Sequence, residues 1–130
     1  MYRAVTKNIE VSVTPRFLES ESAPAQNRFM WAYAITIENQ GNETVQLLSR
    51  HWLITSAAGQ TQEVRGPGVV GEQPVIPPGG SFRYTSGVPL TTPSGIMRGT
   101  YEMVNQDGER FDIAIPAFSL DSEERPRLVN

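Results

Sequence analysis

The chain has 130 residues, enough for one domain with a single core, and 38% hydrophobic residues, enough to fill it. Eleven Lys and Arg against 14 Asp and Glu leave a net charge of −3, which disfavours sequence-independent binding to nucleic acid or to an anionic membrane surface. The absence of cysteine excludes a disulfide scaffold, a thiolate zinc site and cysteine catalysis; with no basic leader before an apolar stretch and no run of about 18 apolar residues, a cytoplasmic location is the expectation.

Residues 8–14 alternate, with Ile9, Val11 and Val13 between polar neighbours, and predict a strand with one buried face that Pro15 ends. The polar stretch LESESAPAQN predicts a surface loop. RFMWAYAITIEN predicts the next strand, with Phe29, Trp31, Tyr33, Ile35 and Ile37 on one face, and NQGNE turns the chain. TVQLLSRHWLITSA resumes an extended pattern until Ala58 and Gly59 turn it toward QTQEV. Its alternation slips: Val45 and Leu47 are odd, Trp52 and Ile54 even. Either that strand is buried on both faces or a bulge lies between Leu48 and His51, and the bulge is the favoured of the two.

Residues 65–80 hold five glycines and four prolines, which predicts a long loop crossing between sheets. Beyond it, SFRYTS alternates, IMRGTYEMV puts Met97, Tyr101 and Met103 on one face, and the hairpin signal NQDGE leads into FDIAIPAF with Phe111, Ile113 and Ile115 inward. The pattern amounts to about seven strands and no helix, hence an all-β fold: an antiparallel sandwich of the immunoglobulin or fibronectin type III kind. The sandwich is expected to occupy residues 1–118, with 119–130 a charged, flexible tail.

Gly66, Gly68 and Gly71 carry the spacing G-x-G-x-x-G that cradles pyrophosphate when it joins a strand to a helix. Pro74, Pro77 and Pro78 forbid that helix, Pro67 removes a backbone donor, and no Gly-Lys-Ser/Thr follows. Three uses of the glycines stand: loop architecture, a small anion-binding concavity with Arg65 supplying charge, or a protein-contact loop. The single histidine, His51, follows Ser49 and Arg50. Same-face strand neighbours lie about 6–7 Å apart, too far for Ser49 and His51 to form a nucleophile–base pair. His51 is expected half-exposed or, with Arg50, in contact with a ligand, and Trp52 is expected in the core. Asp107, Glu109 and Asp112 surround a turn but lack the spaced acidic pattern of a calcium loop. No catalytic residue, metal ligand or cofactor is assigned.

The blocks MYRAVT, RFMWAYAITIENQG, VQLLSRHWLIT, EVRGPGVVGEQPVIPPG, YTSGVPLTTPSGIMRGTYEMV and IPAFSL, in this order from Met1 to about Leu120, resemble the ApaG family, also called CorD. The resemblance implies a fibronectin type III-like sandwich in a bacterial cytoplasmic protein without an established biochemical activity. It also implies an association with cobalt resistance and magnesium efflux, and a gene commonly beside that of a diadenosine tetraphosphate hydrolase. Related eukaryotic domains, within an F-box protein and a DNA-polymerase-delta-interacting protein, look like protein-contact modules. The family's recurrent glycine motif is the one at Gly66, Gly68 and Gly71, and suggestions of nucleotide or pyrophosphate binding rest on it, so the objection from the prolines applies there too. The leading expectation is a non-enzymatic module that binds a protein partner by a loop end or a free sheet edge, with no nucleic-acid or membrane partner. The alternative is a sensor of a phosphorylated small molecule, a nucleotide or pyrophosphate, with Arg50, His51 and Arg65 converging on the glycines.

Overall fold

A computed structural model describes residues 1–122, which form nine strands and two single 3-10 turns. The strands are β1 (Tyr2–Thr6), β2 (Ile9–Phe17), β3 (Phe29–Asn39), β4 (Val45–Ser56), β5 (Thr61–Pro67), β6 (Val75–Ile76), β7 (Ser81–Leu90), β8 (Ser94–Asn105) and β9 (Arg110–Asp121). One sheet has the order β1-β2-β3-β7; the other has β5-β4-β8-β9, with β6 also paired to β4. Every pairing is antiparallel, and the alternating faces read from the sequence meet between the sheets, as expected of a sandwich. None of the described residues forms a helix long and apolar enough to cross a membrane.

Several boundaries differ from the sequence reading. The polar stretch after β2 contains the 3-10 turns Glu19–Glu21 and Pro24–Gln26. Strand β1 returns into β2 through Lys7 and Asn8, both at positive φ (49° and 64°), a tight hairpin without the Asn-Gly signal that would announce it. Strand β2 passes through Pro15 rather than ending there. The Asn8 carbonyl accepts from Gln40 N and Leu18 N donates to Met30 O, so the even residues of β2 bond β3. The nitrogen of Pro15 therefore faces the other way, where β1 has already ended opposite Val13, and no ladder bond is lost. Strand β9 continues past 118: Leu120 is buried and Ser122 N donates to Pro93 O. Two residues of β9, Pro116 and Ala117, oppose Arg98 alone, and this bulge flips the phase so that Phe118 and Leu120 join Ile113 and Ile115 inside. Of the expected tail, 123–130 lie outside the described residues.

The phase slip in β4 is a bulge. Its register with β8 shifts between Leu47 and Ser49, so Leu48 is the extra residue. Val45 and Leu47 face the core before it, Trp52 and Ile54 after it. Trp52 packs edge-on against Tyr33, Tyr101 and Phe118, with ring centroids 5.4, 6.5 and 6.0 Å away. The two flanks of the sandwich differ. Strands β1 and β9 are stitched together where Ala114 N donates to Thr6 Oγ1 and Ser119 N to the Tyr2 hydroxyl. On the other flank β5 and β7 are both sheet edges, unpaired with each other.

The loop expected at 65–80 does cross between sheets, although β5, a tight turn and β6 fill most of it and only 77–80 make the crossing. Asn39, the buried polar side chain of the core at 1% exposure, holds that crossing. Its Nδ2 donates to the carbonyls of Ile76 (3.0 Å) and Glu43 (2.7 Å), while its Oδ1 accepts from Gly41 N. Its backbone accepts from Gly79 N and donates to Gly80 O. Replacing it with Ala would strand the carbonyls of Ile76 and Glu43 and the amide of Gly41, so Asn39→Ala should lower the unfolding free energy by about 2–4 kcal/mol at unchanged m-value in a urea titration.

Candidate functional site

Because the β4 bulge reverses the phase, Arg50 shares the inward face with Trp52, opposite Tyr101 on β8 and Gly66 on β5. A half-buried arginine thus enters the sandwich at its open flank. Its Nη1 donates to the carbonyls of Pro67 and Gly68, both at 3.0 Å. The guanidinium lies across Gly66, where an added Cβ would stand 2.9 Å from both Nη1 and Nη2. Gly66 therefore makes room for a side chain, with no requirement on its φ.

The other two glycines build the turn that supplies those carbonyls. Gly68 has φ +61°, and a Cβ there would fall 2.2 Å from the Glu72 carbonyl oxygen. Val69 N donates to Glu72 O and Glu72 N to Val69 O, closing a two-residue turn at Val70 and Gly71 with φ of 43° and 81°. Positive φ at both central positions is the primed hairpin turn, and a β-branched residue there is strained. The amide of Gly68 goes to the Leu48 carbonyl, which also accepts from Gln73 Nε2. The donors of Gly68 and Val69 are thus used inside the loop, and the carbonyls, which repel anions, face the arginine. This polarity is opposite to that of a phosphate cradle, whose amides point at the ligand.

The expected grouping of Arg50, His51 and Arg65 around the glycines holds only in part: all three residues border a 490 Å³ depression with Gly66, and the Arg50 guanidinium lies on Gly66, but the His51 and Arg65 side chains do not join it. Strand alternation places His51 and Arg65, directly opposite each other in the β4–β5 ladder, on the outer face. There Glu63 holds both, 2.6 Å from His51 Nε2 and 2.9 Å from Arg65 Nη2, and these two contacts, His51 first, hold its carboxyl below the usual range. Arg50 points through the sheet to the other side. Ser49 also faces outward, donating to Glu102 Oε1 (3.3 Å), so it has no bond to His51. The turn at Asp107 and Glu109 is organised by Asn105, whose Oδ1 accepts both their amides, and the described residues contain no group of three His, Cys, Asp or Glu able to hold a metal ion.

What the sequence reading missed is the company Arg50 keeps. Tyr33, Trp52, Val64, Ser86 and Pro89 join it around a cleft of 220 Å³ between the edges β5 and β7. Deeper in, the hydroxyls of Tyr84 and Tyr101 bond each other at 2.5 Å. Burial, the largest effect, raises the ionisation of Tyr33, Tyr84 and Tyr101 above the ordinary value of 10.0, and the nearby Arg50 offsets it only in part. Phase alternation alone, carried across the bulge, would have put Arg50 on this face.

The turn chemistry separates the glycines by experiment. Gly68→Ala should destabilise by more than Gly71→Ala, which meets no atoms and carries only the left-handed penalty of about 1–2 kcal/mol, while Val70→Asn should stabilise by about 1 kcal/mol; urea unfolding of the three variants checks the order. The tyrosines set an alkaline limit. Folding keeps their protons above the pH at which the unfolded chain releases them, so the stability they carry is complete below about pH 10 and falls as pH rises through their folded values, by up to about 1.4 kcal/mol per pH unit for each group. Tyr84→Phe should flatten that slope in unfolding experiments between pH 9 and 11.

Comparison with known proteins agrees with this architecture. The model of the ApaG domain matches residues 19–105. Protein ApaG of Paramagnetospirillum magneticum is 63% identical over 129 residues, covering 98% of this chain and 99% of its own length. Protein ApaG of Mesorhizobium japonicum is 64% identical over 130 residues and all of both chains. The crystal structure of the putative ApaA protein from Bordetella pertussis superposes with a TM-score of 0.87 at 47% identity, covering 90% of this chain and 95% of that one. With a domain model matched over most of its length and full-length relatives above 60% identity, the chain belongs to the ApaG family.

Proposed function

We propose that the chain is a non-enzymatic binding module that takes a segment of another protein into the open flank between β5 and β7. The observation that supports this reading is a groove of 870 Å³ at the end of that flank, with Ile54, Gln62, Pro89 and Leu90 among its walls. The groove shares Ile54, Gln62 and Pro89 with the Arg50 cleft, so the two form one continuous depression. Concave sites of this size with an apolar wall and a few polar groups are where ligands bind.

Addition of a strand to an edge is the less suitable mode. Gly68 N bonds Leu48 O, which puts the nitrogen of Pro67 on the free side of β5; Asn39 N bonds Gly80 O, which does the same for Pro89 in β7. Each edge therefore lacks a donor, and Glu63 and Arg65 add charge to β5, the usual protection against strand addition. Recognition would rest on side chains lodged in the depression. The family's association with cobalt and magnesium would then reach the chain through its partner.

A photoreactive amino acid at Gln62 or Thr91 in the groove should capture one discrete protein in cells, and the same group at Arg83 or Arg98 on the exposed outer faces should not. Equal capture from all four positions, or none from the groove, would exclude this surface.

A further inference from the structure

We infer that the Arg50 cleft is a carboxylate receptor, and that the partner segment inserts an Asp or Glu side chain between the sheets to meet this guanidinium. The inference rests on the binding-module reading and names the chemistry that the site selects.

Among the described residues the charge of Arg50 has no counter-ion. No described carboxylate lies within 4.0 Å of it; Glu63 and Glu102, the acidic groups nearest in the ladders, face the outer surface with His51, Arg65 and Arg110. Arg50 is half-buried, and a charge partly withdrawn from water gains from an opposite charge beside it. Two carbonyl dipoles satisfy Nη1 and leave Nε and Nη2 without a hydrogen-bond partner among the described residues. Neither nitrogen is sealed from solvent, since no fully buried side-chain nitrogen or oxygen lacks a partner. Nε and Nη2 form one edge of the guanidinium fork, the edge that binds both oxygens of a carboxylate.

The seat is fixed before any ligand arrives. Gly66 lets the fork lie flat on β5, and the Pro67 and Gly68 carbonyls, which the 69–72 turn fixes in place, hold Nη1, so little side-chain freedom remains to be lost on binding. Around the fork stand Tyr33 and Ser86, an interacting hydroxyl pair with one proton left to donate to a carboxylate oxygen, with Trp52, Val64 and Val88 beside them for the methylenes of an acidic side chain. A phosphate fits less well. It brings a charge of about −1.5 to −2 at neutral pH and three acceptor oxygens, against one guanidinium, and the described residues around this cleft include no second cation.

The test observes the Arg50 Nε–H resonance directly by ¹H–¹⁵N NMR of the full chain. Two probes are titrated, N-acetylglutamate methylamide as a peptide-borne carboxylate and inorganic phosphate as the competing anion. The expected result is a saturable shift of Arg50 Nε–H with the glutamate probe at a concentration at least tenfold below that needed with phosphate. Ser86→Leu fills the cleft from the opposite sheet and should abolish that shift; Arg50→Gln, followed at the Trp52 indole N–H because the Arg50 signal is gone, should abolish the response of the cleft to the glutamate probe. No shift at saturating probe, an equal or stronger response to phosphate, or a shift that survives Ser86→Leu would each overturn the inference. If the groove still captures its protein partner when Arg50 is silent, only the carboxylate assignment fails. Loss of both removes the binding-module reading as well.

Discussion

One extra residue in β4 organises the open flank of this molecule. Leu48 breaks the register with β8, and two consequences follow from the same displacement. Its carbonyl is turned out of the β8 ladder to receive Gly68 N and Gln73 Nε2, which anchors both legs of the glycine turn. The residues beyond it change faces, so that Trp52 enters the core and Arg50 enters beside it. Without the bulge the strand would place Arg50 in solvent and His51 among the aromatic rings, an arrangement that would bury a titratable group and leave a cavity where Trp52 now packs.

The glycine motif and the arginine explain each other through this geometry. A pyrophosphate loop needs its glycines so that amides can approach an anion; here they let carbonyls and a guanidinium approach. The same residue spacing serves the opposite polarity. The strain at Val70, a β-branched residue at φ 43°, is tolerated because the paired bonds between Val69 and Glu72 and the full burial of the Val69 side chain hold the turn closed.

Much of the sandwich was legible because period-two alternation is directly visible: Phe29 to Ile37, Ile9 to Val13 and Met97 to Met103 all fall on the buried face. What escaped was set by pairing rather than by pattern. Whether Pro15 ends a strand depends on where β1 stops beside it, and the last turn of phase in β9 depends on a bulge at Pro116 and Ala117. The slip in β4 is visible in the sequence, and its corollary, that Arg50 shares a face with Trp52, follows only once the bulge is placed before Ser49. Grouping Arg50 with His51 and Arg65 followed their nearness in sequence and in the ladder, whereas successive residues of a strand face opposite ways. The tyrosine hydroxyls and Ser86 come from three other strands, so their meeting with Arg50 is a product of topology alone.

The stitched flank has a consequence for assembly into larger chains. Tyr2 lies against Ser119 and Thr6 against Ala114, so the first and last described strands are neighbours on the side opposite the groove. The described backbone therefore begins and reaches Ser119 beside the same seam. Having the first and last described strands side by side is the arrangement that suits a unit inserted into a multidomain protein, where one short seam joins it to its neighbours.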